Sequence, residues 1–334
     1  MARPFVILSL SGGGYCGVYT ARILELIEEQ RRGVPICESV DLIGGTSIGG
    51  ILALGLSHGI SAKALKNAFM QNGPEIFKDS GSKFWRKAKN STALLRQMVL
   101  SKYSNQELEK AIDDMIPGKS FKEAEVPCLV SSVCATNGKP HIFRNYDRKD
   151  AQLSSKKVAM ATSAAPIYFP PAWIDGQKYI DGGIVANNPD NILLSDALAY
   201  FRQEISQLIV ISVGATNNDM SSPSVRRGFN GLLPNLFSIR TAVSFAMEAQ
   251  QELSRILAEN VLGENYARIT SVPNESKKRV IGLDRATQAA TDTLISMAND
   301  EFKVSANKRA IRILCNGELK KSRRWRDGAI VLGV

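Results

Sequence analysis

Two glycine-rich segments, each at the end of a short apolar run, constrain the fold of this chain most strongly. The first, Gly12-Gly-Gly14, follows the apolar residues Phe5–Leu10. The second, Gly44–Gly50, follows Ser39–Ile43 and precedes an almost entirely apolar helical stretch, Ile51–Leu56. A strand that turns at glycine into a helix, twice in succession, predicts a parallel sheet covered by helices.

The composition is that of an ordinary globular protein. The chain is 44% hydrophobic and 22% charged, which permits a large core. No apolar run is long enough to span a bilayer, and the five cysteines include no Cys-x-x-Cys pair. The run at Phe5 is expected to be a strand rather than part of a secretory leader. Because strands alternate with helices at first and helical patterns dominate later, we expect an α/β core over residues 1–215. A mainly helical C-terminal extension over 216–334 is expected to pack on the same domain.

The formal net charge of +10 indicates an anionic partner. Basic residues cluster in four segments, at 83–89, Arg226–Arg227, Lys277–Arg279 and 320–326. These clusters favour lipid headgroups or other anionic ligands, although each one singly also fits a solvated surface. The sequence has no helix-turn-helix, zinc-finger or RNP pattern, so a nucleic-acid duplex is not expected as the partner.

Gly45-Thr-Ser47-Ile-Gly49 fits the pattern Gly-x-Ser-x-Gly in the strand–turn–helix context of a nucleophile elbow. The turn is tight, and a side chain at position 45 or 49 would collide with the neighbouring strand or helix. Ser47 is then expected at the C-terminal edge of the sheet, at the positive end of the following helix. Ser47 is therefore the candidate nucleophile.

A nucleophilic serine needs a base, and histidine is not expected to supply it here. The chain contains only His58 and His141. His58 lies about three helical turns beyond Ser47, and His141 is expected at a surface turn. Asp181 is the candidate instead, because it ends a strand and Gly182-Gly183 lets another group approach it closely. A desolvated aspartate can act as a base, whereas a plain Asp-Gly-Gly turn is the competing interpretation.

The first glycine segment is interpreted as an oxyanion hole. Gly12, Gly13 and Gly14 offer backbone N–H groups without a Cβ that would block a substrate, and the following helix adds its positive end. The alternative is a phosphate-binding loop. That alternative fits less well, since the segment does not have the dinucleotide-binding spacing and contains no Gly-Lys-Ser or Gly-Lys-Thr.

Three motifs, in their order along the chain, resemble those of the patatin-like phospholipase family. They are Gly12–Gly17 (Gly-Gly-Gly-x-x-Gly), Gly45–Gly49 and Asp181-Gly-Gly. Two further segments, Ala161–Pro166 and Tyr168–Pro171, match the block that precedes the catalytic aspartate in this family. The resemblance covers about residues 5–215, and the helical remainder only loosely.

The resemblance implies a three-layer patatin-like fold with a mostly parallel central sheet. It also implies hydrolysis of lipid acyl esters by a Ser47–Asp181 dyad, with the glycine loop as the oxyanion hole and neither a metal nor a catalytic cofactor. The substrate is then a membrane phospholipid, and the protein is expected in the cytoplasm and at the inner membrane surface when active.

One departure from the family is Cys16, at a position that is commonly Arg or Lys. Backbone oxyanion donors are unaffected, but a positive charge near the acyl or headgroup site is missing. This leaves open a catalytically impaired, ligand-gated sensor or assembly protein. A soluble ester or thioester hydrolase that uses the same dyad is a further alternative.

Two stretches, Leu8–Tyr15 and Asp41–Leu54, are also similar to the bacterial patatin-like effectors of anti-phage signalling systems. Those effectors are switched on by cyclic dinucleotides and degrade the host membrane. The similarity implies a cyclic dinucleotide activator and an antiviral role for this chain, and a homo-oligomer is a further expectation. The nucleotide site is expected at Arg226–Arg227 and the C-terminal helices.

Overall fold

The computed structural model describes residues 3–78, 101–216 and 236–315. In these ranges the strands are β1 (Phe5–Leu10), β2 (Leu42–Thr46), β3 (Cys128–Cys134), β4 (Lys139–Arg144), β5 (Ala172–Ile174), β6 (Gln177–Asp181), β7 (Leu208–Thr216) and β8 (Tyr266–Ser271). The helices are α1 (Gly17–Gln30), α2 (Ile48–Ser57), α3 (Ala62–Ile76), α4 (Asn105–Met115), α5 (Ser155–Ser163), α6 (Gly183–Ala186), α7 (Asp190–Ala199), α8 (Leu236–Leu262), α9 (Glu275–Lys278), α10 (Gln288–Ser305) and α11 (Arg309–Cys315).

All of the described strands belong to one mixed sheet, in the order β5-β6-β3-β2-β1-β7-β8 with β4 paired to β3. The run β3-β2-β1-β7-β8 is parallel, whereas β4 and β6 pair antiparallel to β3, and β5 pairs antiparallel to β6. Parallel strands need crossover connections, and the helices between them supply these. The prediction of a mostly parallel central sheet is confirmed.

Helices cover both faces of this sheet. Successive side chains of a strand point to opposite sides, so one strand packs against helices on both faces. On β1, Leu8 packs into a core cluster with Ile23 of α1 and Leu52 of α2. The adjacent Ile7 belongs to a second cluster on the other face, with Leu193 of α7. The predicted three-layer α/β architecture is therefore confirmed.

The C-terminal part of the chain adds a strand that the sequence analysis did not predict. β8 pairs in parallel with β7, with Val210 opposite Tyr266. α10 then packs on α1, and Tyr15, just before α1, shares a buried hydroxyl hydrogen bond of 2.7 Å with Thr291 of α10. The division at residue 215 stays a prediction, but the chain beyond it contributes to the same sheet.

Three of the four basic clusters, at 83–89, Arg226–Arg227 and 320–326, lie outside the described residues. The fourth, Lys277–Arg279, forms the end of the short helix α9. Within the described ranges, no helix is both long and apolar enough to cross a bilayer.

Candidate active site

Ser47 occupies the tight turn between β2 and α2. Its backbone lies in an unusual region, with φ 55° and ψ −128°, which is strained for a residue with a side chain. The flanking glycines explain how the turn is accommodated. A Cβ at Gly45 would lie 2.1 Å from the Gly49 carbonyl oxygen, and a Cβ at Gly49 would lie 2.3 Å from the Leu10 carbonyl oxygen. Neither position can hold a side chain while the turn keeps this shape.

Thr162 of α5 holds the Ser47 backbone in this turn. The Ser47 N–H donates to Thr162 Oγ1 at 2.8 Å, and the Thr162 hydroxyl in turn donates to the Ser131 carbonyl oxygen at 2.6 Å. Thr162 is fully buried, so neither hydrogen bond can be replaced by bulk water. The strained position of Ser47 is therefore fixed by β3 through one threonine side chain.

Asp181 reaches Ser47 because β2 and β6 share one edge of β3. β4 occupies the opposite edge, which leaves β2 and β6 to pair in succession along the remaining one. β2 runs parallel to β3 and ends with Thr46 opposite Ser131, whereas β6 runs antiparallel and ends with Asp181 opposite Ser132. The two strand ends thus meet head to head, and Ser47 follows immediately after one of them.

The Asp181 carboxylate is buried and hydrogen-bonded. Its Oδ1 accepts the Gly183 N–H at 2.7 Å, and the side chain of Ser47 lies close enough to interact with it. Burial disfavours the charged form and raises the pKa of Asp181 to about 6, although the interactions with Ser47 and Gly183 oppose this shift. At neutral pH the group is therefore mostly ionised and is a stronger base than an exposed aspartate.

The glycine loop lies at the same edge of the sheet. The Gly12 N–H donates to the Asn187 carbonyl oxygen at 3.1 Å, so this donor is already used. In the described part of the chain, the N–H groups of Gly13 and Gly14 have no such acceptor. Gly14 has a φ of +53°, and a Cβ there would lie 2.2 Å from the Leu283 carbonyl oxygen, so this position requires glycine.

Arg268 of β8 holds the residue that precedes this loop. Its Nη1 donates to Ser11 Oγ at 2.8 Å and to Ser212 Oγ at 2.7 Å. Ser11 is fully buried and also donates its N–H to the Val213 carbonyl oxygen at 3.0 Å. The unpredicted strand β8 therefore supports the glycine loop directly.

Ser47, Asp181 and the glycine loop line one cavity of about 330 Å³. Most of the other lining residues are apolar: Ile48, Ile51, Phe69, Ile76, Phe77, Leu108, Pro166, Ile167, Phe169, Ile184, Met247 and Leu283. Such a lining fits a hydrocarbon chain, with the reactive polar groups placed to meet its attached carbonyl.

Neither histidine contributes to this cavity. His58 is buried, its Nε2 lies 2.8 Å from Ser155 Oγ, and burial lowers its pKa to about 4. His141 is on β4, and its Nε2 lies 3.2 Å from Asp150 Oδ1. Among the residues that the structure describes, no group of three or more histidine, cysteine and acidic side chains is arranged to hold a metal ion.

Cys16, the departure from the family pattern, also points away from the cavity. Its side chain is buried, and its Sγ lies 3.7 Å from the Gly282 carbonyl oxygen. Burial raises the pKa of the Cys16 thiol. The substitution therefore leaves the described geometry of Ser47, Asp181 and the glycine loop intact.

Two site residues were not singled out by sequence reasoning. Thr162 lies inside the Ala161–Pro166 block, and no role was expected for Asn187. The available signal was a pair of asparagines before Pro189, shortly after the Asp-Gly-Gly turn. The hydrogen bonds between Asn187 and the glycine loop depend on the sheet topology, which local sequence does not reveal.

Comparison with known proteins gives concordant results. The model of the family "Patatin-like phospholipase" matches residues 8–194 of this chain. A protein of Vibrio cholerae serotype O1 named "cGAMP-activated phospholipase" is 32% identical, over 89% of this chain and 91% of that protein. A protein of the same name from Pseudomonas aeruginosa is also 32% identical, over 88% of this chain and 86% of its own length. Patatin-07 of Solanum tuberosum is 25% identical, over 90% of this chain and 84% of that protein.

Proposed function

We propose how this chain, which belongs to the patatin-like phospholipase family, cleaves its lipid substrate. Ser47 attacks the acyl carbonyl carbon of a membrane phospholipid, and Asp181 takes the proton of the Ser47 hydroxyl. The observation that carries this proposal is the proximity of the Ser47 side chain to a buried carboxylate inside an apolar cavity. A serine hydroxyl is a weak nucleophile until a neighbouring base accepts its proton.

The glycine loop stabilises the negative charge that forms on the carbonyl oxygen. The N–H groups of Gly13 and Gly14 are the proposed donors, because the Gly12 N–H is bonded to Asn187. Ser47 also lies at the N-terminus of α2, whose partial positive charge favours an anion there. Removing one donor from an oxyanion hole typically costs about 100- to 1000-fold in rate.

The cavity holds the acyl chain during this step. Its apolar lining includes Ile51 of α2 and Leu108 of α4, which are both nearly inaccessible to solvent. Burial of each methylene of a fatty chain contributes about 0.8 kcal/mol, so a long chain gains most from this site. When the tetrahedral intermediate collapses, Asp181 returns the proton to the departing lysophospholipid oxygen, and Ser47 is left acylated.

A cyclic dinucleotide is the proposed activator. The name "cGAMP-activated phospholipase" belongs to relatives that align with nearly the whole of this chain. The net charge of +10 is compatible with an anionic activator as well as an anionic membrane. An antiviral role, the nucleotide site and self-association stay predictions.

The test is fatty-acid release from vesicles of phosphatidylethanolamine and phosphatidylglycerol, with and without a panel of cyclic di- and trinucleotides. We expect release that depends on one nucleotide and disappears in Ser47→Ala. Ser163→Ala is the matched control, since Ser163 lines the same cavity but donates its hydroxyl to the Ala159 carbonyl oxygen at 2.6 Å.

Three results would contradict parts of this proposal. Full activity in Ser47→Ala would show that Ser47 is not the nucleophile. Hydrolysis of dissolved short-chain esters with no vesicle activity under any condition would identify a soluble ester hydrolase. Nucleotide binding without hydrolysis of any ester would identify a ligand-gated binding protein.

A further inference from the structure

Asn187 carries a buried oxygen without a hydrogen bond, inside the catalytic cavity. The residue is 4% exposed and lines the cavity. Within the described part of the chain, Asn187 Oδ1 has no hydrogen-bond partner. An unsatisfied buried acceptor is costly and uncommon, so its presence at a reaction centre calls for a function.

The free oxygen lies between the two catalytic side chains. A Cβ on Gly12 would be 2.3 Å from Asn187 Oδ1 and 3.1 Å from Ser47 Cβ. A Cβ on Gly183 would be 2.9 Å from Asn187 Oδ1 and 3.1 Å from Asp181 Oδ1. Asn187 Oδ1 and Asp181 Oδ1 therefore lie close enough for a single water molecule to bridge them, and Met247 Cε, 2.7 Å from the same Cβ position, borders the space between them.

The orientation of the Asn187 amide is set by the glycine loop. Its Nδ2 donates to the Gly12 carbonyl oxygen at 3.5 Å, and rotating the amide would place two acceptor oxygens against each other. The Asn187 main chain is held independently, by the Gly12 N–H at 3.1 Å and by its own donation to Gln250 Oε1 at 3.0 Å. The main-chain position thus does not depend on the side chain.

From this geometry we infer that Asn187 is a further catalytic residue, which holds and orients the water that hydrolyses the acyl-enzyme. The inference rests on the proposed function, because it needs an acyl group on Ser47. One O–H of the water donates to Asn187 Oδ1, and the other donates to Asp181. The water oxygen then forms a bond to the acyl carbon as Asp181 takes its proton.

Deacylation is completed without any further reactant. The tetrahedral intermediate breaks the bond between the acyl carbon and Ser47 Oγ, and the proton held by Asp181 moves to that oxygen. The products are a free fatty acid and the original Ser47 hydroxyl. A neutral acceptor suits this position, since a second carboxylate beside Asp181 would raise the pKa of the base.

The test separates acylation from deacylation with a p-nitrophenyl ester, in the presence of the activating nucleotide. Stopped-flow absorbance gives the burst of p-nitrophenol, and intact-mass spectrometry gives the fraction of acylated protein. In Asn187→Ala we expect acylation within about threefold of wild type. We expect deacylation to be about 10- to 100-fold slower, so that the acyl-enzyme accumulates.

Gln250→Ala is the matched control, because it removes a partner of the Asn187 main chain and leaves Oδ1 in place. We expect its deacylation rate to stay near that of wild type. Unchanged deacylation in Asn187→Ala would overturn the inference, and so would an equal loss in both steps, which indicates a role only in holding the glycine loop. A wild-type protein that never forms an acyl-enzyme would instead contradict the proposed function.

A second variant keeps the inference testable if Asn187→Ala does not fold. Asn187→Asp has the same shape and retains an acceptor, but it loses the donation to the Gly12 carbonyl oxygen and adds a negative charge next to Asp181. We expect the acid limb of its pH–rate profile to move to higher pH, with deacylation retained above that limb. An unshifted limb would place the side chain away from the base and overturn the inference.

Discussion

The side chain of Ser47 lies beside the buried carboxylate of Asp181, a residue from a distant part of the chain, and interacts with it. The contact exists because β2 and β6 end head to head along the same edge of β3. No histidine takes part, so the ionisation of Asp181 controls the proposed chemistry. The predictions below follow from this pair and from the groups that hold it in place.

The pH dependence of the reaction reports on Asp181. Burial raises its pKa to about 6, and only the ionised form can accept the Ser47 proton. We expect kcat/KM on a neutral dissolved ester to fall about tenfold per pH unit below pH 6. Asp175→Asn, at the exposed turn before β6, should keep the same limb. A limb below pH 4.5 would show that a different group is the base.

The same raised pKa predicts that the Asp181 carboxylate destabilises the fold. The native state holds the Asp181 proton more tightly than the unfolded state, so this contribution to stability is lost as pH rises from about 4 to about 6. We expect Asp181→Asn to raise the free energy of unfolding at pH 7.5 by up to about 3 kcal/mol.

Urea unfolding of wild type and Asp181→Asn at several pH values measures this effect. The difference between the two proteins should shrink toward pH 4. His58, whose pKa burial lowers to about 4, titrates in both proteins and cancels in the comparison. An Asp181→Asn protein that is less stable at pH 7.5 would contradict the assignment of a costly buried charge.

Thr162 is predicted to affect stability and kcat through its hydrogen bond to the Ser47 backbone. Thr162→Val has nearly the same shape but leaves the Ser47 N–H without its acceptor, which costs about 1–3 kcal/mol of stability. We also expect kcat to fall, because the nucleophile is held less firmly in its strained turn. Thr162→Ser keeps the hydroxyl and should behave like wild type in urea unfolding and in kcat. Equal effects of both substitutions would point to packing instead.

The preference of the enzyme for long acyl chains should depend on Leu108. This residue is 5% exposed and lines the cavity from α4, so Leu108→Trp fills space that a long chain would occupy. We expect kcat/KM to fall about tenfold for esters of long fatty acids and less than twofold for butyrate esters. Leu108→Met conserves volume and serves as the control. A uniform loss over all chain lengths would argue against this location for the acyl chain.

The parts of the site that follow local sequence rules were predictable, and those that depend on strand order were not. Gly45 and Gly49 mark the turn because any Cβ there meets backbone, which a local pattern can reveal. β6 runs antiparallel to β3, and this direction brings Asp181 beside Ser47. The direction follows from the pairing with β3 and has no signature in the local sequence. The resemblance to a known family supplied the expected Ser47–Asp181 dyad where physical reasoning alone left a plain turn as an alternative.

Two further features depended on tertiary contacts. The segment of β8 carries only a weak pattern of apolar residues, yet it pairs with β7 and positions Arg268 beside Ser11. The predicted second strand at Ser39–Ile43 was shifted, since the observed β2 is Leu42–Thr46 and continues through two glycines. Glycine weakens a strand in isolation, but here Gly44 and Gly45 lie against Leu129 and Gly49, where no side chain fits.

The central claim is that Ser47, activated by Asp181, is the nucleophile. The most direct test is reaction with a fluorophosphonate, followed by digestion and mass spectrometry to locate the adduct and by a time course to measure its rate of formation. We predict a single adduct on the peptide that contains Ser47, formed at least 100-fold more slowly in Asp181→Asn than in wild type or Asp175→Asn. An adduct on another serine, or an unchanged rate in Asp181→Asn, would contradict it.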